Sequence, residues 1–85
     1  MDTRVAIISI IVEDDSSADG INRLLHDYRE YVIGRMGIPY KPKGINIISV
    51  AVDAPEPAIA ALSGKIGRLP GVSARTAYSK GRAGS

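Results

Sequence analysis

Arg4-Val5-Ala6-Ile7-Ile8-Ser9-Ile10-Ile11-Val12 is nine residues long and dominated by β-branched side chains, so it reads as a strand rather than a helix; we call it β1. Successive side chains of a strand point to opposite sides of the sheet. Ala6, Ile8, Ile10 and Val12 therefore share one side, and Val5, Ile7 and Ile11 share the other. Both sides are apolar. A sheet with one face in water shows a clean apolar–polar alternation, so the sheet containing β1 is expected to be covered on both faces.

Beyond β1, Glu13-Asp14-Asp15-Ser16-Ser17 supplies turn and capping residues, with Ser16 and Asp19 spaced as a capping box. Ile21, Leu24, Leu25 and Tyr28 then recur at three- and four-residue intervals, which predicts a helix α1 over roughly 16–29, with Asn22, Arg23, Asp27 and Arg29 outward. From 31 to 40, Val32, Met36 and Ile38 alternate with Ile33 and Arg35, and Gly34 and Gly37 disfavour a helix, giving β2. Lys41-Pro42-Lys43-Gly44 is a hairpin turn leading to β3 over 45–52. Asp53-Ala54-Pro55-Glu56 reads as the N-cap of α2, whose stripe is Ile59, Leu62, Ile66 and Leu69 and whose stop is Pro70-Gly71. Val72 to Ser79 alternates as a half-exposed edge strand, β4, followed by a basic tail at 80–85 that is expected to be flexible.

The order β-α-β-β-α-β is that of the ferredoxin-like unit: an α+β sandwich of a four-stranded antiparallel sheet with two helices on one face. The predicted organisation is one domain over 1–79. In β3, Ile48, Val50 and Val52 oppose Ile45, Ile47 and Ala51, so the two-sided apolar character of β1 is repeated. No third layer is encoded to cover the second face. A chain of 85 residues is also small, because domains near this size bury only about 60% of their unfolded surface. Another subunit is the economical cover, and a homo-oligomer, dimer or tetramer, through sheet faces or edges is expected.

Composition narrows the chemistry. With 45% hydrophobic and 24% charged residues the chain is neither disordered nor membrane-like, and no apolar run approaches the length of a membrane span, so a soluble cytoplasmic protein is expected. It has no cysteine, which excludes disulfides, zinc ribbons and iron–sulfur ligation. Its net charge of +2 is lopsided: residues 1–30 carry seven acids and three bases, residues 31–85 eight bases and two acids. That asymmetry suits either an anionic ligand or an ordinary solvated surface.

No catalytic constellation stands out, and the chain is expected not to be an enzyme. His26 is the sole histidine, and Asp27 beside it points about 100° away on a helix, so no nucleophile–base–acid relay is spaced around it. Glu13, Asp14, Asp15 and Asp19 lack the spacing of a calcium loop and suit a helix start. Gly64-Lys65-Ile66-Gly67 lacks both the upstream glycine and the following Ser or Thr of a phosphate loop, and close helix packing accounts for its glycines. Neither β1 nor β3 contains the aromatic residues on which RNA-binding sheets stack bases. No metal and no cofactor is called for.

Four segments carry a family resemblance: Ile10-Ile-Val-Glu-Asp14, Asn22-x-Leu-Leu-His26, Gly34-Arg-Met-Gly37-x-Pro39, and Ala61-Leu-Ser-Gly-Lys-Ile-Gly67 followed by Pro70-Gly-Val72. Over residues 4–79 the chain resembles the small regulators of the iron-only hydrogenase system, with Leu62-Ser-Gly-Lys-x-Gly67 the most specific part. The resemblance implies an ACT-like, ferredoxin-fold oligomer with a proposed regulatory role. The layout is also similar to the metal-sensing domain of nickel-responsive repressors. In that register His26 matches the first nickel ligand, but Gly37 and Pro39 stand where the histidine pair would be and Ile45 where the cysteine would be. One ligand of four makes no square-planar site. With β1 starting near residue 4, the DNA-reading arm of those repressors is not expected either.

The expected function is therefore a regulatory domain that binds a small effector or a partner protein at subunit interfaces. Its candidate contacts are Asp14, Asp15 and Ser16 in the β1–α1 turn, His26 at the end of α1, and Gly37, Pro39 and Tyr40 on β2. The alternative is direct nucleic-acid binding through Arg35, Lys41, Lys43, Arg68 and Arg75, with Lys80 and Arg82 in the tail.

Overall fold

The β-branched segments pair into one sheet and the two amphipathic segments lie across it. The structure, a computed structural model, describes residues 2–81, so most of the predicted tail, including Arg82, lies outside the described residues. The strands are β1 (Arg4–Val12), β2 (Val32–Tyr40), β3 (Ile45–Ala54) and β4 (Val72–Tyr78), and the helices are α1 (Ala18–Asp27) and α2 (Glu56–Gly67). All neighbouring strands are antiparallel in the order β2-β3-β1-β4. This is the predicted βαββαβ ferredoxin-like arrangement.

The alternation in β1 sorts the two faces. Ala6, Ile8, Ile10 and Val12 are buried together with Val50, Val52 and Ala54 of β3, against Ile21 and Leu25 of α1 and Ile59, Leu62 and Ile66 of α2. Burying a side chain of this kind contributes roughly 1.5–3 kcal/mol, so this one layer is the main source of stability. On the opposite face, pairing places Ile7 between Ala51 and Ala77, Ser9 between Ser49 and Arg75, and Ile11 between Ile47 and Ser73. Val5, Ile7 and Ile11 are each 44% exposed there and Ile47 41%, so the second apolar side of β1 exists but the single chain leaves it open. No helix among the described residues is long and apolar enough to cross a membrane.

Several local expectations are corrected. α1 is shorter than predicted and is flanked by single 3-10 turns at Asp15–Ser17 and Arg29–Tyr31. The Ser16–Asp19 capping box does not form. Asp14 caps the 3-10 turn ahead of α1, its Oδ1 accepting from the Ser16 N–H at 2.9 Å and the Ser16 hydroxyl at 2.7 Å, while Ser17, at the cap of α1 itself, donates its hydroxyl to the Pro70 carbonyl. Asp53 is not an N-cap, because β3 continues through Ala54 with Asp53 paired to Val5, and Pro55 stands at the cap of α2. Nor does close packing explain Gly64, where an added β-carbon would meet only the end of Arg68, or Gly67, whose nearest neighbour would be the Ala74 β-carbon at an ordinary 3.7 Å. Within the helices the close approach is at Gly20, where a β-carbon would stand 3.1 Å from Leu69.

β2 is the least covered element, half-buried only at Val32 and exposed from Ile33 to Tyr40. Its pairing with β3 is broken by a bulge between Val32 and Gly34, and Pro39 interrupts its row of N–H groups.

Candidate functional site

On the helix side, the exposure of β2 has a geometric cause. α1 covers β1 and β3 but not the whole breadth of the sheet, and a groove of about 280 Å³ remains between α1 and β2. Pairing puts Arg35 opposite Val50, Gly37 opposite Ile48 and Pro39 opposite Asn46, so these alternate β2 residues face the helix layer. Gly37 adds no side chain, and a β-carbon built there would find nothing within 4 Å. The floor is apolar, formed by Val12, Ile21 and Ile48, and Asn46 lies at its rim. From the helix side Asn22 reaches Arg35, whose Nη1 donates to Asn22 Oδ1 at 3.0 Å.

Of the predicted ligand contacts, Gly37 and Pro39 line this groove. Pro39 also lines an adjoining depression of about 160 Å³ with Asp15, Tyr40 and Asn46, so Asp15, Pro39 and Tyr40 are brought together. Asp14 and Ser16 are engaged with each other in the cap. The Ser16 hydroxyl, and next its backbone N–H, hold the Asp14 carboxyl below the ordinary aspartate range. His26 lines neither cavity. It sits in the last turn of α1, four residues beyond Asn22, with Arg29 Nη1 donating to its backbone carbonyl at 2.9 Å and standing 3.3 Å from Nε2. Among the described residues no three His, Cys, Asp or Glu side chains come together as a metal-binding group.

Sequence reasoning missed the polar part of the groove. It placed Asn22 outward, and Asn22 is exposed, but it gave Asn46 no role and assigned Arg35 only to a nucleic-acid surface, so the bond between Arg35 and Asn22 went unread. The available signal was the parity of β2, since residues 35, 37 and 39 must share a face and the small residue among them leaves room. The five candidate nucleic-acid contacts do not form one surface. Arg35 faces the helix layer on one edge strand, whereas Arg75, paired with Ser9, lies on the open face of the other. Lys41 and Lys43 occupy the hairpin turn and Arg68 caps the end of α2.

A larger open depression of about 950 Å³ lies where the two ends of the described chain meet, and its cation is already satisfied. Arg4 pairs with Glu56 at 3.2 Å, donates to the Ser79 carbonyl at 2.6 Å and lies 4.7 Å from the centre of the Tyr78 ring. That cluster ties β1, α2 and β4 together and is structural.

The motifs quoted for the resemblance now have places. Ser63 accepts from Thr76 at 2.9 Å, joining α2 to β4, and Lys65 donates to the Tyr28 hydroxyl at 2.9 Å, joining α2 to the end of α1. The family model TM1266-like, "Iron-only hydrogenase system regulator, putative", matches residues 4–76, which include all of them. The chain belongs to the TM1266-like family. Protein TM1266 from Thermotoga maritima is 31% identical, with 93% of this chain and 100% of that one covered and a TM-score of 0.89. Two further solved structures share the fold alone with this TM1266-like chain. A formyltetrahydrofolate deformylase from Pseudomonas putida KT2440 is 17% identical, with 92% of this chain and 30% of that one covered and a TM-score of 0.66. An unknown protein from Galdieria sulphuraria is 16% identical, with 95% and 48% covered and a TM-score of 0.64. No curated protein matches the chain.

Proposed function

We propose that this TM1266-like chain is a non-enzymatic regulatory domain that works as an assembly of identical copies, joined through the open face of the sheet, and that responds to a small effector or a partner protein. The observation that carries this is the row Val5, Ile7, Ile11 and Ile47, more than two-fifths exposed at each position on a surface framed by Ala51 and Ala77. Met36 and Ile38 of β2 extend it across a third strand, 63% and 54% exposed. An apolar surface of this extent across neighbouring strands is uncommon on a monomer and is the kind of face that packs on another sheet.

A second copy suits it better than an unrelated partner. The charged residues among the paired strands of this face are Arg75 and Asp53, one of each sign. In a two-fold contact the same patch meets itself, so equal and opposite charges can pair where a single sign would repel. The dispersal of the basic residues over both faces favours this reading over nucleic-acid binding.

Sedimentation velocity at micromolar concentration tests it, with the wild type beside Ile7→Lys. The expected result is a wild-type oligomer and a variant monomer with the same far-ultraviolet circular dichroism. A wild type that sediments as one subunit overturns the proposal.

A further inference from the structure

The groove between α1 and β2 differs from the rest of the surface in having one charge, one sign and an apolar floor. Arg35 is the sole charged residue lining it. Among the described residues the only ion pair is Arg4–Glu56, so Arg35 stands without a carboxylate partner. One of its N–H groups is spent on Asn22, and a guanidinium has five. The same bond fixes the Asn22 amide: its oxygen faces Arg35, which leaves its NH2 group as a donor. The polar equipment is thus weighted towards donors and a positive charge, over Val12, Ile21 and Ile48.

We propose that this groove is a binding site for a small, singly charged anion with an apolar body, of which a short-chain carboxylate is the simplest form. The carboxylate docks on Arg35 beside the Asn22 amide, and the hydrocarbon lies over Val12, Ile21 and Ile48 in the space that Gly37 leaves open. Size and charge set the class. The volume of about 280 Å³ is just under the usual range of ligand sites, roughly 300 to 1,000 Å³, and suits a small ligand. Arg35, the one cation lining the groove, balances a single negative charge. A planar carboxylate matches the guanidinium fork, and charge-assisted bonds of that kind are about twice as strong as neutral ones. This inference rests on and deepens the regulatory reading by naming the class of effector; the groove faces the helix layer and shares only Ile38 with the assembly face.

Hexanoate is the probe, with hexylamine as its control, followed by amide and side-chain shifts in a 15N-labelled sample of the full chain. Two variants separate the charge from the space. Arg35→Gln removes the cation at an exposed position. Gly37→Val fills the groove where an added β-carbon meets nothing, and it places a β-branched residue in a strand, so folding is retained. Saturable shifts are expected with hexanoate at Asn22, Gly37 and Ile48 and not with hexylamine. Affinity should fall by at least about tenfold in each variant while the unliganded spectra keep the native dispersion. No saturable shift with hexanoate, equal binding of hexylamine, or unchanged affinity in both variants overturns the site. Sedimentation of the same samples keeps the two proposals apart: an oligomer that ignores hexanoate sinks only the groove, and a monomer that binds it sinks only the assembly.

Discussion

Gly71 stands back to back with Asp14: a β-carbon at position 71 would lie 2.6 Å from the Asp14 β-carbon and 3.0 Å from its backbone nitrogen. The two turns are also stitched there, since the Glu13 N–H donates to the Gly71 carbonyl at 2.7 Å. The turn that starts α1 and the turn that starts β4 therefore form one unit.

Gly71→Ala should destabilise the chain by about 1–3 kcal/mol, because φ is +67° and the added methyl has no room. Gly44→Ala is the control. It has a similar φ of +63° but open space, so it should show only the backbone cost, about 1 kcal/mol. Urea denaturation of the two variants separates the contact from the dihedral.

Asp14 ties this unit to solution pH. Its carboxyl titrates below the ordinary aspartate value because Ser16 bonds to the ionised form. A group whose pKa is lower folded than unfolded adds stability above the unfolded pKa and loses it as pH falls through the folded one. The melting temperature of the wild type should therefore decline in acid more steeply than that of Asp14→Asn, which keeps a capping side chain but has no proton to take up. Parallel acid limbs in thermal scans would count against the assignment.

Ile8 and Ile7 are neighbours on β1 with opposite surroundings, one wholly buried and the other 44% exposed. Ile8→Ala should cost about 2–5 kcal/mol at any protein concentration, as a cavity in the core does. Ile7→Ala should cost the isolated subunit no more than about 1 kcal/mol, with any further loss growing as concentration rises and copies associate. Denaturation at two concentrations a hundredfold apart reads the difference.

Gly64 lies inside α2 with no close neighbour to demand a glycine. Gly64→Ala should therefore stabilise the chain by about 0.5–1 kcal/mol, the usual difference between the two residues in a helix interior. A loss of stability instead would show that the family's Leu62-Ser-Gly-Lys-x-Gly67 segment is packed more tightly than its geometry indicates.

Periodicity made the architecture legible because it is a global property of each segment. The alternation in β1 marks the buried layer and a second apolar side, expected to be covered and left open by the single chain, and the stripes of α1 and α2 point to Ile21, Leu25, Ile59, Leu62 and Ile66 of the core. Caps were less legible, since Asp14, Ser16 and Ser17 are all competent and only the course of the chain decides which oxygen meets which N–H. The β3–α2 boundary failed for a similar reason: Asp53 is a good cap by type, but its pairing with Val5 holds it in the strand. The groove was half legible. Gly37 and Pro39 were found through the resemblance, but Arg35 and Asn22 meet across thirteen residues, and the width that α1 leaves uncovered is set by tertiary packing.

The free margin of the sheet at β2 carries a consequence for how growth of any assembly ends. A long flat margin with a full row of unpaired N–H groups can recruit further chains without limit, as amyloid does. Here the bulge at Val32/Gly34 twists one stretch and Pro39 withholds a donor in another, so strand-by-strand extension is interrupted at two places. Addition of further chains strand by strand along the β2 margin is thereby opposed.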